Sequence, residues 1–342
     1  MIDSARIVIA PDSFKGTLGA RDVATAIRAG WLSARPQDNV EISPQADGGE
    51  GTVDAIEASV NGARQHYVPD VSGPDGRKVT GEWLELPDGT GVVEIAQMSG
   101  LPLMDQLDPI GATSKGLGEV IASMLDFGIS RLVVGLGGSA STDGGLPVLE
   151  SIGERRPPDH GAVILTDVTS PLLGPDGAAV VFAAQKCATG RQVDLLEQRL
   201  RRVADRLGND PFEPGVGAAG GVAYALRSWG GTLTAGSSYV ATVTGLAATI
   251  QSADLVLTGE GRYDSQSRTG KVVGKVLDLA DEFHVQRGVI AGTAEEAPDC
   301  WIATLRGFAG STEAAIAQPA EWLFVAGRSA AEQLMDPAFA YH

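Results

Sequence analysis

Cysteine is nearly absent: Cys187 and Cys300 are the only two in 342 residues, too few and too far apart for a disulfide framework or a zinc site. Histidine is scarce as well, and its four copies show no metal-ligand spacing. No stretch approaches the ~18–20 uninterrupted apolar residues of a membrane span. The opening MIDSARIVIAPDS enters a short apolar run without a signal-peptide pattern, so the expected location is cytoplasmic. Basic residues are outnumbered, 26 Lys and Arg against 43 Asp and Glu, giving a net charge of −17. That balance argues against nucleic-acid and membrane partners, since both need a basic face. An anionic substrate would have to be met by Lys and Arg gathered locally.

What is present is ample for a folded core: 43% hydrophobic and 20% charged residues. At 342 residues the chain exceeds the size at which single cores usually stop growing, which predicts two domains. The first part reads strand, loop, helix, strand: Arg6 to Ala10, stopped by Pro11; a helix over Ala20 to Ala34; a strand at Val40 to Ser43; a helix from Thr52 to Ser59. Residues 66–100 read as an antiparallel meander with turns at SGPDG and LPDGT. A helix is expected over Ser114 to Phe127, then strands at Arg131 to Leu136, Ala162 to Val168 and Gly177 to Ala184, and a charged helix at Gln192 to Leu207. The last third returns to α/β alternation, with strands at Ala253 to Gly261, Gln286 to Thr293 and Trp301 to Gly307 and a helix at Lys271 to Phe283. These patterns predict an α/β fold. Residues 1–66 and 252–342 form one discontinuous doubly wound domain, and 67–251 form an inserted α/β domain.

Four loops concentrate glycine with acids, hydroxyls and lysines. Glycine lets backbone approach a ligand, carboxylates suit a hard cation such as Mg²⁺, and lysines suit anionic oxygens. PDSFKGT offers Ser13 and Lys15 to a phosphate or carboxylate; otherwise it is a strand-to-helix turn with a solvent lysine. ADGGEGT sets Asp47 and Glu50 three apart around Gly48 and Gly49, either sharing a cation or capping the following helix. GLGGSASTDGG brings Gly137, Gly138, Ser139, Ser141, Thr142 and Asp143, and it is neither a P-loop nor a GxGxxG turn. TGEGRYDSQSRTGK carries Glu260, Arg262, Asp264 and Lys271, with Val272 where a P-loop needs a hydroxyl. Weaker features are Asp167 to Pro171, Gln185-Lys186 and the GVGAAGG turn, the last read as packing. Together they point to nucleotide and phosphoryl chemistry.

In order along the chain, APDSFKGT, ADGGEGT, GLGGSASTDGG, DVTSPLLGP, QK, GAAGG and DLVLTGEGRYDSQSRTGK resemble the bacterial glycerate kinase family of the glycerate 2-kinase type. The resemblance covers about residues 6–292. It implies one flavodoxin-like domain and one restriction-endonuclease-like domain, with ATP-dependent, Mg²⁺-assisted phosphorylation of D-glycerate, 2-phosphoglycerate being favoured. The acidic pool for metal and base is then Asp47, Glu260 and Asp264, with Asp143 an alternative base. Lys15, Arg262 and Lys271 would meet carboxylate or transferring phosphate. Ser13, Gly48, Gly49, Glu50, the 137–142 loop residues, Asp167, Ser170 and Lys186 would complete the substrate and nucleotide sites. Ser170 stands where the family pattern has Asn, FAAQKC replaces FGPQKG, and the 146–166 segment is short. These departures keep two alternatives open: a kinase for another small hydroxy acid, and a non-catalytic ligand-binding paralogue. The implied partners are glycerate and nucleotide, and homodimer formation is left open.

Overall fold

In the computed structural model, which describes residues 4–268 and 271–335, the strands in chain order are β1 (Arg6–Ile9), β2 (Asn39–Ile42), β3 (Arg64–Ser72), β4 (Lys78–Glu85), β5 (Thr90–Glu94), β6 (Arg131–Gly135), β7 (Ala162–Leu165), β8 (Thr232–Thr234), β9 (Leu255–Tyr263), β10 (Gln286–Ala294) and β11 (Trp301–Thr304). They build two sheets, and the chain divides into two compact units. One comprises the residues up to Asp47, Asp54–Ser59 and those from Ser237 onward; the other comprises Gly48–Val53 and Val60–Gly236.

The first unit holds a five-stranded sheet in the order β11-β10-β9-β1-β2, with every pairing parallel. Numbered within the unit this is 2-1-3-4-5, a doubly wound order. Parallel strands need cover on both faces, and the alternation of side chains supplies it. Ile7 and Ile9 point to one face, where they pack with Val23, Ile27 and Trp31 of the helix Ala20–Ala34 and Leu323 and Ala326 of the helix Pro319–Leu334. Val8 and Ala10 point to the other, against Leu246, Ile250, Val276 and Leu279. The two helices on the first face touch backbone to backbone: a Cβ on Gly30 would lie 1.9 Å from the Phe324 carbonyl oxygen, and one on Gly327 would lie 2.2 Å from that of Ile27.

The second unit holds a six-stranded sheet in the order β3-β4-β5-β6-β7-β8. The expected meander is present, with β3, β4 and β5 paired antiparallel, and β5 through β8 parallel. Its core joins β5 and β6 (Val93, Val134) to the helix Lys115–Phe127 through Leu117, Val120, Ile121 and Met124.

Two expectations are corrected. Gly177 to Ala184 is not a strand: Ala178–Val181 is a helical turn and Ala184–Lys186 a 3₁₀ turn. Sheet pairing gives the reason, since β7 already has β6 on one edge and β8 on the other. Val180 and Val181 are correspondingly exposed. The run Trp301 to Gly307 is strand only to Thr304, whose hydroxyl accepts the Gly307 amide and starts the helix Leu305–Ala309.

Candidate active site

In an open parallel sheet, ligands bind beyond the carboxyl ends of the strands where the strand order reverses. In the first unit that point lies between β1 and β9. Asp12 follows β1, and its amide donates to the Gly259 carbonyl at 2.8 Å, locking the loop to β9. A cavity of about 380 Å³ opens there, lined by Asp12, Ser13, Lys15, Asp47, Glu260, Arg262, Asp264 and Lys271 among others. The sequence-expected residues Ser13, Lys15, Asp47, Glu260, Arg262, Asp264 and Lys271 therefore share one wall system. Thr269 and Gly270 of the last motif lie outside the described residues.

The electrostatics are tightly coupled. Lys15 Nζ sits 3.0 Å from Asp47 Oδ2. Burial alone would lower the Lys15 pKa, but Asp47 and Asp12 outweigh it and hold the ammonium above its ordinary value. Asp12, only 5% exposed, has its pKa pushed up to about 7, first by burial and then by Asp47, with Lys15 opposing. Among the described residues its carboxylate receives one hydrogen bond, from the Ser13 amide at 2.7 Å. Burial likewise raises Glu260, opposed by a hydrogen bond with Ser267 and by Lys271. Glu260 Oε1 and Ser13 Oγ are buried without a hydrogen-bond partner among the described residues. Arg262 reaches Glu295 at 2.7 Å and Asp264 at 3.6 Å, while Asp264 Oδ1 accepts the Gln266 amide.

Among the described residues no three His, Cys, Asp or Glu side chains form a closed metal cage. Mg²⁺ does not require one, because it is usually held by one or two carboxylates, waters and substrate phosphates. The oxygen-only donor set around the unpartnered Glu260 Oε1 fits such a cation.

The second unit contains the other expected residues, and there glycine serves close packing. A Cβ on Gly137 would lie 2.4 Å from the Gly49 Cα, and one on Gly48, at φ +85°, would lie 2.8 Å from the Leu165 Cβ. Glu94, at the end of β5, accepts the Gly51 amide at 3.2 Å and the Val53 amide at 3.1 Å, pinning the loop that carries Glu50. Gly138 takes a left-handed conformation at φ 78°. The 139–143 segment is gripped from two sides. Lys186, buried, gives Nζ to the Ser141 carbonyl at 2.5 Å, the Thr142 hydroxyl at 3.3 Å and the Ser139 hydroxyl at 3.4 Å. Opposite, Ala219, Gly220 and Gly221 are consecutively left-handed, and a Cβ on Gly220 would meet the Ser141 carbonyl oxygen at 2.2 Å. Burial lowers the Lys186 pKa to about 8, with Asp143 opposing.

Asp143, expected as an alternative base, is occupied: its oxygens accept the Ser114 amide and hydroxyl and the Gly145 amide at 2.7–3.0 Å. Burial raises its pKa against those bonds. Asp167 accepts the Gly236 amide at 2.7 Å, and the Ser170 carbonyl accepts that of Gly217 at 2.9 Å. The hydroxyl of Ser141 is buried without a partner among the described residues. Asp12, Glu94 and the 219–221 run were not singled out from the sequence as functional. Asp12 and Glu94 carried a legible signal, an acid inside or directly after an apolar strand.

A family model described as the glycerate kinase family matches residues 7–162 and 154–335. The chain is 37% identical to a glycerate 2-kinase of Escherichia coli and 36% identical to a glycerate kinase of Bacillus subtilis, covering 84% of this chain and 85% of each relative. A crystal structure of a candidate glycerate kinase 2 from Salmonella typhimurium LT2 superposes with a TM-score of 0.77 at 33% identity, covering 97% of this chain and 98% of that one.

Proposed function

The chain belongs to the glycerate kinase family, and we propose from that membership that it transfers a phosphoryl group from ATP to D-glycerate, giving 2-phosphoglycerate. One observation carries the reading beyond membership: Asp12, Lys15, Asp47, Glu260, Asp264 and Lys271 line a single cavity at the reversal point of a doubly wound sheet. Phosphoryl transfer asks the protein for positioning and charge neutralisation, and this cavity holds both signs of charge.

The roles follow from the environments. Lys15, Arg262 and Lys271 are the cations of the cavity suited to carboxylate or phosphate oxygens, Lys15 also pairing with Asp47 and Arg262 with Glu295 and Asp264. Asp47, Glu260 and Asp264 would hold Mg²⁺, which when bound neutralises the phosphate chain. Asp12 joins the acidic pool as the best base for the glycerate hydroxyl: a carboxylate titrating near 7 is poised to accept a proton at working pH. In the second unit, the segment Gly137–Asp143 keeps its reading as a substrate or nucleotide loop, with Lys186 and Asp143 acting on its shape. The 2-1-3-4-5 order supports the flavodoxin-like name for the first unit. The restriction-endonuclease-like name for the second rests on the family resemblance.

The test is a coupled ADP-release assay over D-glycerate, L-glycerate, glycolate and lactate, with enolase added to detect 2-phosphoglycerate directly. ADP release with D-glycerate and an enolase signal without a mutase is the expected result. Silence with every hydroxy acid, from protein that still binds nucleotide, would overturn the kinase reading in favour of a ligand-binding paralogue.

A further inference from the structure

The lining of the first unit's cavity divides by segment. Its acids and basic side chains come from β9 and the loops after β1, β2 and β9, while the segment 305–319 supplies Leu305, Ala315, Ile316 and Pro319 with Thr312 its one polar member, and Phe14 adds a further apolar side chain. Phe14, Leu305 and Ala315 belong to the unit's core, but Ile316 does not: it is 57% exposed, a large aliphatic side chain left on the cavity rim. Glycerate explains none of this. It carries an oxygen on each of its three carbons and has no apolar face to bury. A nucleoside polyphosphate is amphipathic along its length, with a flat base at one end and charged oxygens at the other, and the cavity lining offers both kinds of contact. Phe14 and Lys15 are adjacent in sequence, so the two kinds of lining meet at one loop. A volume of about 380 Å³ is within the range of pockets that hold such ligands.

We propose that this cavity is the nucleotide subsite, the base lying on the Ile316 wall and the phosphates running toward Lys15 and Lys271. The assignment rests on the kinase reading for its phosphate chemistry and commits the apolar part of the cavity to the donor, the glycerate hydroxyl meeting the transferring phosphate beside Asp12. Gly292 and Gly261, both in the lining, leave no room for a side chain between them, since a Cβ on Gly292 would lie 2.3 Å from the Gly261 carbonyl oxygen. Apolar contact through shape alone predicts tolerance between bases, with purines favoured by their larger face.

The experiment is calorimetric binding of Mg·ADP and of Mg·tripolyphosphate, which lacks base and ribose, to wild type, Ile316→Ser and Ile316→Phe, needing no turnover. Because Ile316 is largely exposed, both variants are expected to fold as wild type, checked by circular dichroism. Ile316→Ser should weaken ADP about tenfold and leave tripolyphosphate unchanged, while Ile316→Phe should retain or tighten ADP. The glycerate KM should not move in either variant. Unchanged ADP affinity in Ile316→Ser, or a rise in the glycerate KM alone, would overturn the subsite while leaving the kinase reading intact. Absence of turnover with normal ADP binding would fail the kinase reading while leaving the subsite standing.

Discussion

Replacing Asp12 by Asn should make the protein more stable and much less active. The carboxyl is 5% exposed, and its pKa stands at about 7 against an ordinary 3.8. Folding therefore binds the proton more tightly than the unfolded chain does. Between 3.8 and about 7 the native state carries the extra proton, so stability falls as pH rises through that window, and above 7 the whole penalty applies. At 1.36 kcal/mol per pKa unit the penalty is roughly 4 kcal/mol as a ceiling. Asparagine keeps the oxygen that accepts the Ser13 amide and removes the charge beside Asp47. Urea unfolding at pH 8 should show Asp12→Asn gaining up to about 4 kcal/mol, with the gain gone near pH 4. Turnover with glycerate should fall about 10²–10⁴-fold, the usual contribution of a general base. In wild type, kcat/KM should rise with pH through about 7, where Asp12 loses its proton. Turnover within threefold of wild type in the Asn variant, or a flat profile between pH 6 and 8, would refute the assignment.

Lys15→Met and Lys271→Met should each lower kcat by about 10²–10³, the effect of losing one preorganised electrostatic contact, measured by steady-state kinetics. Lys186→Met should instead cost about 1–3 kcal/mol of stability in urea unfolding, because it strands the buried Ser141 carbonyl. Gly220→Ala must displace the Ser141 carbonyl and occupy φ 63° with a side chain; a loss of roughly 1–3 kcal/mol is expected on the same curves. The conservative control Gly190→Ala, at a position with nothing within 4 Å, should leave stability nearly unchanged.

Elements with strong periodicity were legible in the sequence. The helix expected at Ala20 to Ala34 has those bounds because Val23, Ala24, Ile27 and Trp31 recur at helical spacing and bury one stripe. The Gly177 to Ala184 run had no period to read, and its state is decided by which sheet edges are vacant, a fact supplied by strands far along the chain. The charged side of the site was legible for a similar reason: glycine with acids and lysines at strand ends is a local pattern. The position of Asp12 after an apolar strand was legible too, but its unusual proton affinity was not, since that comes from burial beside Asp47 and Glu260, neighbours only in three dimensions. The close neighbours of Gly48 and Gly137, the Leu165 side chain and the Gly49 backbone, were not legible either, since no local pattern announces them.

The glycine-to-backbone seam between Ala20–Ala34 and Pro319–Leu334 sets an order of assembly during synthesis. The first unit's sheet has β1 between β2 and β9, so its centre waits for residue 255 and its outer cover for the helix ending at Leu334. The second unit is nearly continuous from Val60 to Gly236 and can close its core as soon as that stretch leaves the ribosome. Roughly a hundred residues separate the two events, about 5–20 s at ribosomal speed. Throughout that interval the face formed by Ile7, Ile9 and the helix Ala20–Ala34 lacks the cover of Leu323 and Ala326, which makes the earliest-made segment of the chain the last to be fully protected.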